Sequence, residues 1–122
     1  MRTILIAEDD IIIAMLCKQE LEHRNIRVVL ANNGKEAISI LEKEKFDLVL
    51  LDLLMPIMDG YSVLEYFKAR QIRIPVVVVL TNLGQDMTKA KCRKLGAEDF
   101  IVKSDVDPAD IYEKIKKYLP VR

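Results

Sequence analysis

Four uninterrupted apolar residues, Leu48 to Leu51, stand between Asp47 and Asp52, and the chain breaks soon afterwards at Met55-Pro56 and Asp59-Gly60. The run is too short to cross a membrane, and its lack of polar alternation marks a strand buried on both faces, in the middle of a sheet. The strand delivers a carboxylate, Asp52, to its C-terminal end. In open α/β sheets that edge is where ligands and chemistry are found. The breakers that follow turn the chain over the strand end instead of continuing it.

The other segments supply partners for this strand. Thr3 to Ala7 is a short apolar run ending in Glu8-Asp9-Asp10 and reads as a first strand. Ile13, Leu16, Cys17 and Leu21 then fall near helical spacing over residues 11–24, with Asp9 or Asp10 as cap. Ile26 to Ala31 is a second strand. Residues 35–45 form a second helix on Ala37, Ile40 and Leu41, and residues 61–70 a third on Val63, Leu64 and Phe67. Pro75 opens a fourth strand, Val76 to Leu80, at the position where a strand tolerates proline. Residues 85–95 are a Lys-rich helix with few apolar anchors, among them Met87, Ala90 and Cys92, and this thin stripe predicts the least firmly docked helix. Gly96 supplies its C-cap. Asp99 to Val102 is the fifth strand. Asp107 and Pro108 open a last helix, with Ile111, Ile115 and Leu119 down one face and Pro120 as its stop.

Strands alternating with helices at intervals of about twenty residues are βαβ units, and right-handed crossovers make of them an α/β fold, a doubly wound parallel sheet covered on both faces. Periodicity does not give the strand order. At 122 residues the chain is read as one domain, 1–122, with no linker, repeat or low-complexity stretch inside it and no attached output domain. Nineteen Lys and Arg balance nineteen Asp and Glu, which gives no reason to expect nucleic acid or an anionic membrane as partner. Cys17 and Cys92 stand far apart behind a start with no signal peptide, so they read as reduced thiols of a cytoplasmic protein.

In a parallel sheet all strand ends point one way, so Asp9, Asp52, Thr81 and Lys103, each just past a strand, converge on one crevice. Carboxylates held together repel, and a hard cation such as Mg2+, which takes oxygen ligands and coordinates phosphate, stabilises that arrangement. An ammonium and a hydroxyl opposite them complete what a phosphoryl group needs: oxygens neutralised by metal, Lys and hydroxyl, and a nucleophile in line. Carboxylate, metal, Thr and Lys together point to Asp52 accepting a phosphoryl group as an acyl phosphate. Taken singly, Asp9 or Asp10 is a helix cap, Thr81 a turn residue and Lys103 a solvated lysine; their joint placement is what raises them. His23, on the polar side of a helix far from the strand ends, has no catalytic role, and Met55 and Met58 read as packing and turn residues.

With these residues in place the chain resembles a receiver domain of the two-component response regulators, in the stand-alone form typified by the chemotaxis regulator. The likeness covers essentially all 122 residues and is carried by the acidic pair Glu8 and Asp9, the D-x-x-M-P-x-M-D-G run from Asp52 to Gly60, Thr81 and Lys103. It implies a flavodoxin-like (βα)5 fold of strand order 2-1-3-4-5, a requirement for Mg2+, phosphotransfer from a sensor histidine kinase or phosphotransfer protein, and slow self-dephosphorylation without turnover of an external substrate. The same resemblance puts the metal on Asp9, Asp52 and the backbone carbonyl of Leu54, with Glu8 acting through water, and makes Thr81 and Phe100 the switch pair. It further implies a downstream target on the face made by the fourth helix, fifth strand and last helix, in a monomer that dimerises, if at all, on phosphorylation.

Some positions depart from that pattern. Phe100 offers a switch ring without a hydroxyl. Ser104 replaces the proline usual after the lysine, and since a cis bond before a non-proline residue costs about 2.5–4 kcal/mol, a trans Lys103-Ser104 bond is expected. Asn82 replaces a small residue and is expected to crowd the phosphoryl pocket. Leu54 and Leu83 are apolar at positions flanking the site and are expected to shield the acyl phosphate from water. Leu54 also argues against an aspartyl-nucleophile phosphatase or mutase, which needs a second acid two residues after the nucleophile. Three acids after the first strand argue against a flavodoxin, whose loop must hold a phosphate. The remaining alternative is a receiver-like interaction module whose partner binding is independent of phosphorylation.

Overall fold

The computed structural model describes residues 1–121. Five strands, β1 (Thr3–Ala7), β2 (Arg27–Ala31), β3 (Leu48–Leu51), β4 (Val76–Thr81) and β5 (Asp99–Val102), form one sheet in the order β2-β1-β3-β4-β5. Every pairing is parallel. The helices between them are α1 (Ile11–His23), α2 (Gly34–Lys43), α3 (Gly60–Ala69) and α4 (Asp86–Lys94), and α5 (Ile111–Ile115) comes after β5. This is the flavodoxin-like doubly wound sheet of order 2-1-3-4-5 that the resemblance implies.

Strand β3 lies at the centre with all four residues buried. Successive strand residues face opposite sides, and the core divides accordingly. Val49 and Leu51 pack with Leu5, Val77 and Val79 against Ala37, Ile38, Val63, Leu64 and Phe67. Leu48 and Leu50 pack with Ile4, Ile6, Val78 and Leu80 against Cys17, Leu21, Ile111 and Ile115. Each fully buried aliphatic side chain stabilises the fold by about 1.5–3 kcal/mol relative to exposure, so this double layer fixes the register that delivers Asp52. Both cysteines are free and buried.

Most residues of the predicted helix faces pack as expected, and single positions do not. On α1 the buried residues are Ala14, Cys17 and Leu21, while Leu16 is 46% exposed beside Ile11, Ile12 and Met15. At 100° per residue Leu16 belongs to the face opposite Ala14, and the small alanine lets the helix approach the sheet where leucine was expected. On α2, Ile38 is buried and Ile40 and Leu41 only partly so. On α4, Met87 and Ala90 face solvent and Cys92 alone is buried, so two of the three expected anchors do not anchor. The expected last helix is a succession: a 3₁₀ turn at Pro108–Asp110, α5, and a 3₁₀ turn at Lys116–Tyr118. Short helices tighten into i→i+3 bonding at their ends, as in Asp110 N–H to Asp107 O at 2.8 Å and Leu119 N–H to Lys116 O at 3.1 Å. Its buried residues Ile111, Ile115 and Leu119 are nevertheless those predicted.

Candidate functional site

The β3–α3 turn is built by the residues that made the motif specific. Asp59 caps α3, its Oδ1 accepting the Ser62 N–H at 2.8 Å. Gly60 lies so close to the strand end that a Cβ there would stand 2.2 Å from the Asp52 carbonyl oxygen, which no side chain can occupy. The Gly60 N–H donates to Leu53 O at 3.0 Å, folding the turn back over β3. Ile57, between them, has φ +69° and is 79% exposed.

The register continues past the strands. Asp52 N–H donates to Ala7 O at 3.0 Å, which brings the acids after β1 and β3 side by side, and Glu8 N–H donates to Ala31 O of β2 at 3.0 Å. Carboxylate oxygens of Glu8, Asp9 and Asp52 lie within 4.8 Å of one another. Glu8 and Asp52 are buried and Asp9 is exposed. Asp10 is drawn off to cap α1, its Oδ1 accepting from Ile12 N–H at 3.0 Å and Ile13 N–H at 3.3 Å.

Lys103 closes the cluster from β5. Its Nζ donates to Asp52 Oδ2 at 2.7 Å and forms an ion pair with Glu8 Oε1. The other oxygens are also engaged: Glu8 Oε2 accepts the Asp10 N–H at 3.1 Å and Asp52 Oδ1 the Leu54 N–H at 3.3 Å. Burial pushes Glu8 up to about 7, against the opposing pull of Lys103. Burial alone would lower Lys103, but its bonds to Asp52 and Glu8 outweigh that and raise it. The ammonium thus stays charged between two acids.

Thr81 ends β4, the strand between those of Asp52 and Lys103, with Val102 as its register partner. It is fully buried, and its hydroxyl has no hydrogen-bond partner among the described residues. An unsatisfied buried hydroxyl is costly. The Lys103-Ser104 bond is trans, as expected, and no cis bond occurs among the described residues. Lys103 begins a 3₁₀ turn, Lys103–Asp105, whose Ser104 N–H donates to Asn82 Oδ1 at 3.0 Å. Read in the sequence as two separate departures, Asn82 and Ser104 are partners; lying 22 residues apart on different loops, they gave no local signal of it.

The structure therefore brings together Glu8, Asp9, Asp52 and Lys103, with Thr81 at the intervening strand end. Phe100, the register partner of Val79, is half-buried on the core side that holds Val77, Val79 and Cys92, with Lys89 Nζ 5.8 Å from its ring centroid. Leu54 is 57% exposed, whereas Leu83 packs against the core. The start of β5 is tied as well: the Tyr118 hydroxyl donates to Asp99, a contact that pushes Tyr118 up to about 12.

Three carboxylates that offer only oxygen donors, within 4.8 Å of one another, suit a hard divalent cation. A parallel sheet with such a cluster, a lysine and a buried hydroxyl at its C-terminal edge defines a phosphoryl-accepting α/β module. The chain belongs to the response regulator receiver domain family, whose model matches residues 4–116. Among solved structures it is similar to the receiver domain of the Francisella response regulator 1452, with TM-score 0.87 and 26% identity over 97% of this chain and 96% of that one. It is also similar to a CheY-like response regulator receiver domain protein from Methanospirillum hungatei, with TM-score 0.84 and 32% identity over 96% and 92%. A curated relative is the alkaline phosphatase synthesis transcriptional regulatory protein PhoP of Bacillus subtilis, 30% identical over 97% of this chain and 48% of that protein. The chain spans about half the length of the curated relatives it matches. Its acidic cluster corresponds to the phosphoacceptor and Mg2+ site of receiver domains, so the chain is a two-component phosphorelay module with the capacity for its own phosphorylation.

Proposed function

We propose that the domain, residues 1–122, takes a phosphoryl group from the phosphohistidine of a sensor histidine kinase or phosphotransfer protein onto Asp52. The observation that carries the assignment is the bridging of Asp52 and Glu8 by Lys103, with Asp9 at the same opening. Asp9, Asp52 and the Leu54 carbonyl would hold Mg2+, with Glu8 acting through water. Bound there, the cation supplies positive charge to the phosphoryl oxygens and relieves repulsion among the acids. An Asp52 oxygen attacks phosphorus in line, the P–N bond breaks, and its electron pair returns to the imidazole. Lys103 stays protonated throughout and holds one phosphoryl oxygen; the Thr81 hydroxyl, which has no partner among the described residues, donates to another.

Helix α1 begins two residues after Asp9 and offers the donor a surface beside the site. Ile11, Ile12, Met15 and Leu16 there form an exposed apolar row that lines an open groove of about 610 Å3, and an apolar surface of this kind suits a protein partner. On phosphorylation Thr81 moves inward and the ends of β4 and β5 follow, with Phe100 and the thinly anchored α4. Output is altered affinity for a protein target on the α4–β5–α5 face, by a monomer that dimerises, if at all, on phosphorylation. No described helix is long and apolar enough to cross a membrane, in keeping with the cytoplasmic setting proposed here.

The site of transfer is tested by borohydride reduction of the phosphorylated chain, which converts an aspartyl phosphate to homoserine. Homoserine at position 52 is expected. Phosphate recovered on a serine or histidine, with unmodified Asp52, contradicts the assignment.

A further inference from the structure

We propose that Asn82 is a positioning residue for Lys103, acting through the Ser104 backbone. Strands β4 and β5 are paired up to Thr81 and Val102, and Asn82 and Lys103 are the next residues on each. The ladder stops there. What joins the two strands beyond it is the 3.0 Å hydrogen bond from Ser104 N–H to Asn82 Oδ1.

The turn that presents Lys103 has few other ties. It is a single 3₁₀ turn, closed by Val106 N–H to Lys103 O at 3.2 Å, and Ser104 and Asp105 are exposed. The early N–H groups of such a turn lack partners within it. Asn82 satisfies one of them, the only side-chain hydrogen bond to the turn's backbone among the described residues. Because an N–H only donates, the atom facing it is the amide oxygen, which fixes the orientation of the Asn82 side chain. The bond also requires residue 104 to carry an N–H, so Asn82 and Ser104 are complementary. A lysine side chain has a long flexible stem, and the path of its backbone decides whether its ammonium reaches both Asp52 and Glu8. Asn82 fixes that path from the residue next to Thr81. The strand ends carrying the two groups that hold the phosphoryl oxygens are thereby coupled.

This inference rests on the role given above to Lys103, and it opposes the expectation that Asn82 merely crowds the pocket. Crowding predicts faster phosphorylation when the side chain is removed; positioning predicts slower. The test compares the full chain with Asn82→Ala, Asn82→Asp, Ser104→Pro and the Asn82→Ala/Ser104→Pro double variant. Uptake of phosphate from phosphoramidate at saturating Mg2+, Mg2+ affinity by titration calorimetry, and hydrogen exchange at the Ser104 amide are measured. Loss of one such bond is expected to slow uptake about three- to tenfold in Asn82→Ala, with Mg2+ affinity held within about twofold. Ser104 amide exchange should quicken in Asn82→Ala and recover in Asn82→Asp, whose carboxylate also accepts. The double variant should be no slower than the slower single one.

Uptake at or above the wild-type rate in Asn82→Ala overturns the proposal, as do effects of the two substitutions that multiply. A wild-type chain that takes up no phosphoryl group overturns the phosphoacceptor assignment along with it, an outcome distinct from a competent wild type matched by Asn82→Ala.

Discussion

Glu8 shows at the residue scale what the site costs the fold. Its folded value, raised by burial to about 7, exceeds the ordinary 4.5, so the folded state holds this proton more tightly than the unfolded chain does. Stability from that difference is fully present below about pH 4.5 and is lost as pH rises through about 7. Glu8→Gln removes the titration. In chelator, its melting temperature relative to wild type is expected to climb between pH 5 and pH 8; an offset independent of pH would show that Glu8 does not carry the penalty. Ile57 bears a second local cost, a β-branched residue at φ +69° that glycine would adopt freely. Ile57→Gly should stabilise the fold by about 1 kcal/mol, read as a higher urea midpoint at unchanged slope. The expected shielding by two leucines also divides here. Leu54 is exposed near Asp52 and Leu83 packs into the core, so Leu54→Asn should shorten the acyl phosphate lifetime while Leu83→Asn lowers stability instead. A lifetime unchanged in Leu54→Asn removes the shielding role.

Among the elements, α4 has the least holding it. Gln85 gives it no side-chain cap and Cys92 is its one buried residue, whereas α3 is capped by Asp59 and buries Gly60, Val63, Leu64 and Phe67. Few buried apolar contacts mean a low free energy of local opening. Amide exchange is therefore expected to be at least about tenfold faster in α4 than in α3, and equal protection would contradict α4 as the element that shifts on phosphorylation. The sequence conveyed this helix's weakness but misjudged its anchors. Met87 and Ala90 are apolar by type, yet hydropathy without a neighbouring surface does not say which way a side chain turns. The same limit placed Leu16 in the core and left Ala14 out. By contrast, β3, and β4 as far as Leu80, are apolar and bury residues on either face, so no orientation had to be chosen.

For the whole molecule, legibility follows from how local each signal is. Alternating strands and helices gave the parallel sheet, whose direction alone gathers strand-end residues at one edge; Glu8, Asp9, Asp52 and Lys103 meet there because of it. Strand order came with the family resemblance, not from periodicity. What stayed hidden depends on pairs distant in sequence: Asn82 with Ser104, and Tyr118 with Asp99. All of these converge on one claim, that Asp52 is the acceptor and its neighbours make it one. The measurement that tests this most directly is the intact mass of the chain after incubation with Mg2+ and phosphoramidate, beside Asp52→Asn and a chelated sample. A gain of about 80 Da, one phosphoryl group, is expected in the wild-type sample alone. The same gain in Asp52→Asn, or in the presence of chelator, would contradict that claim.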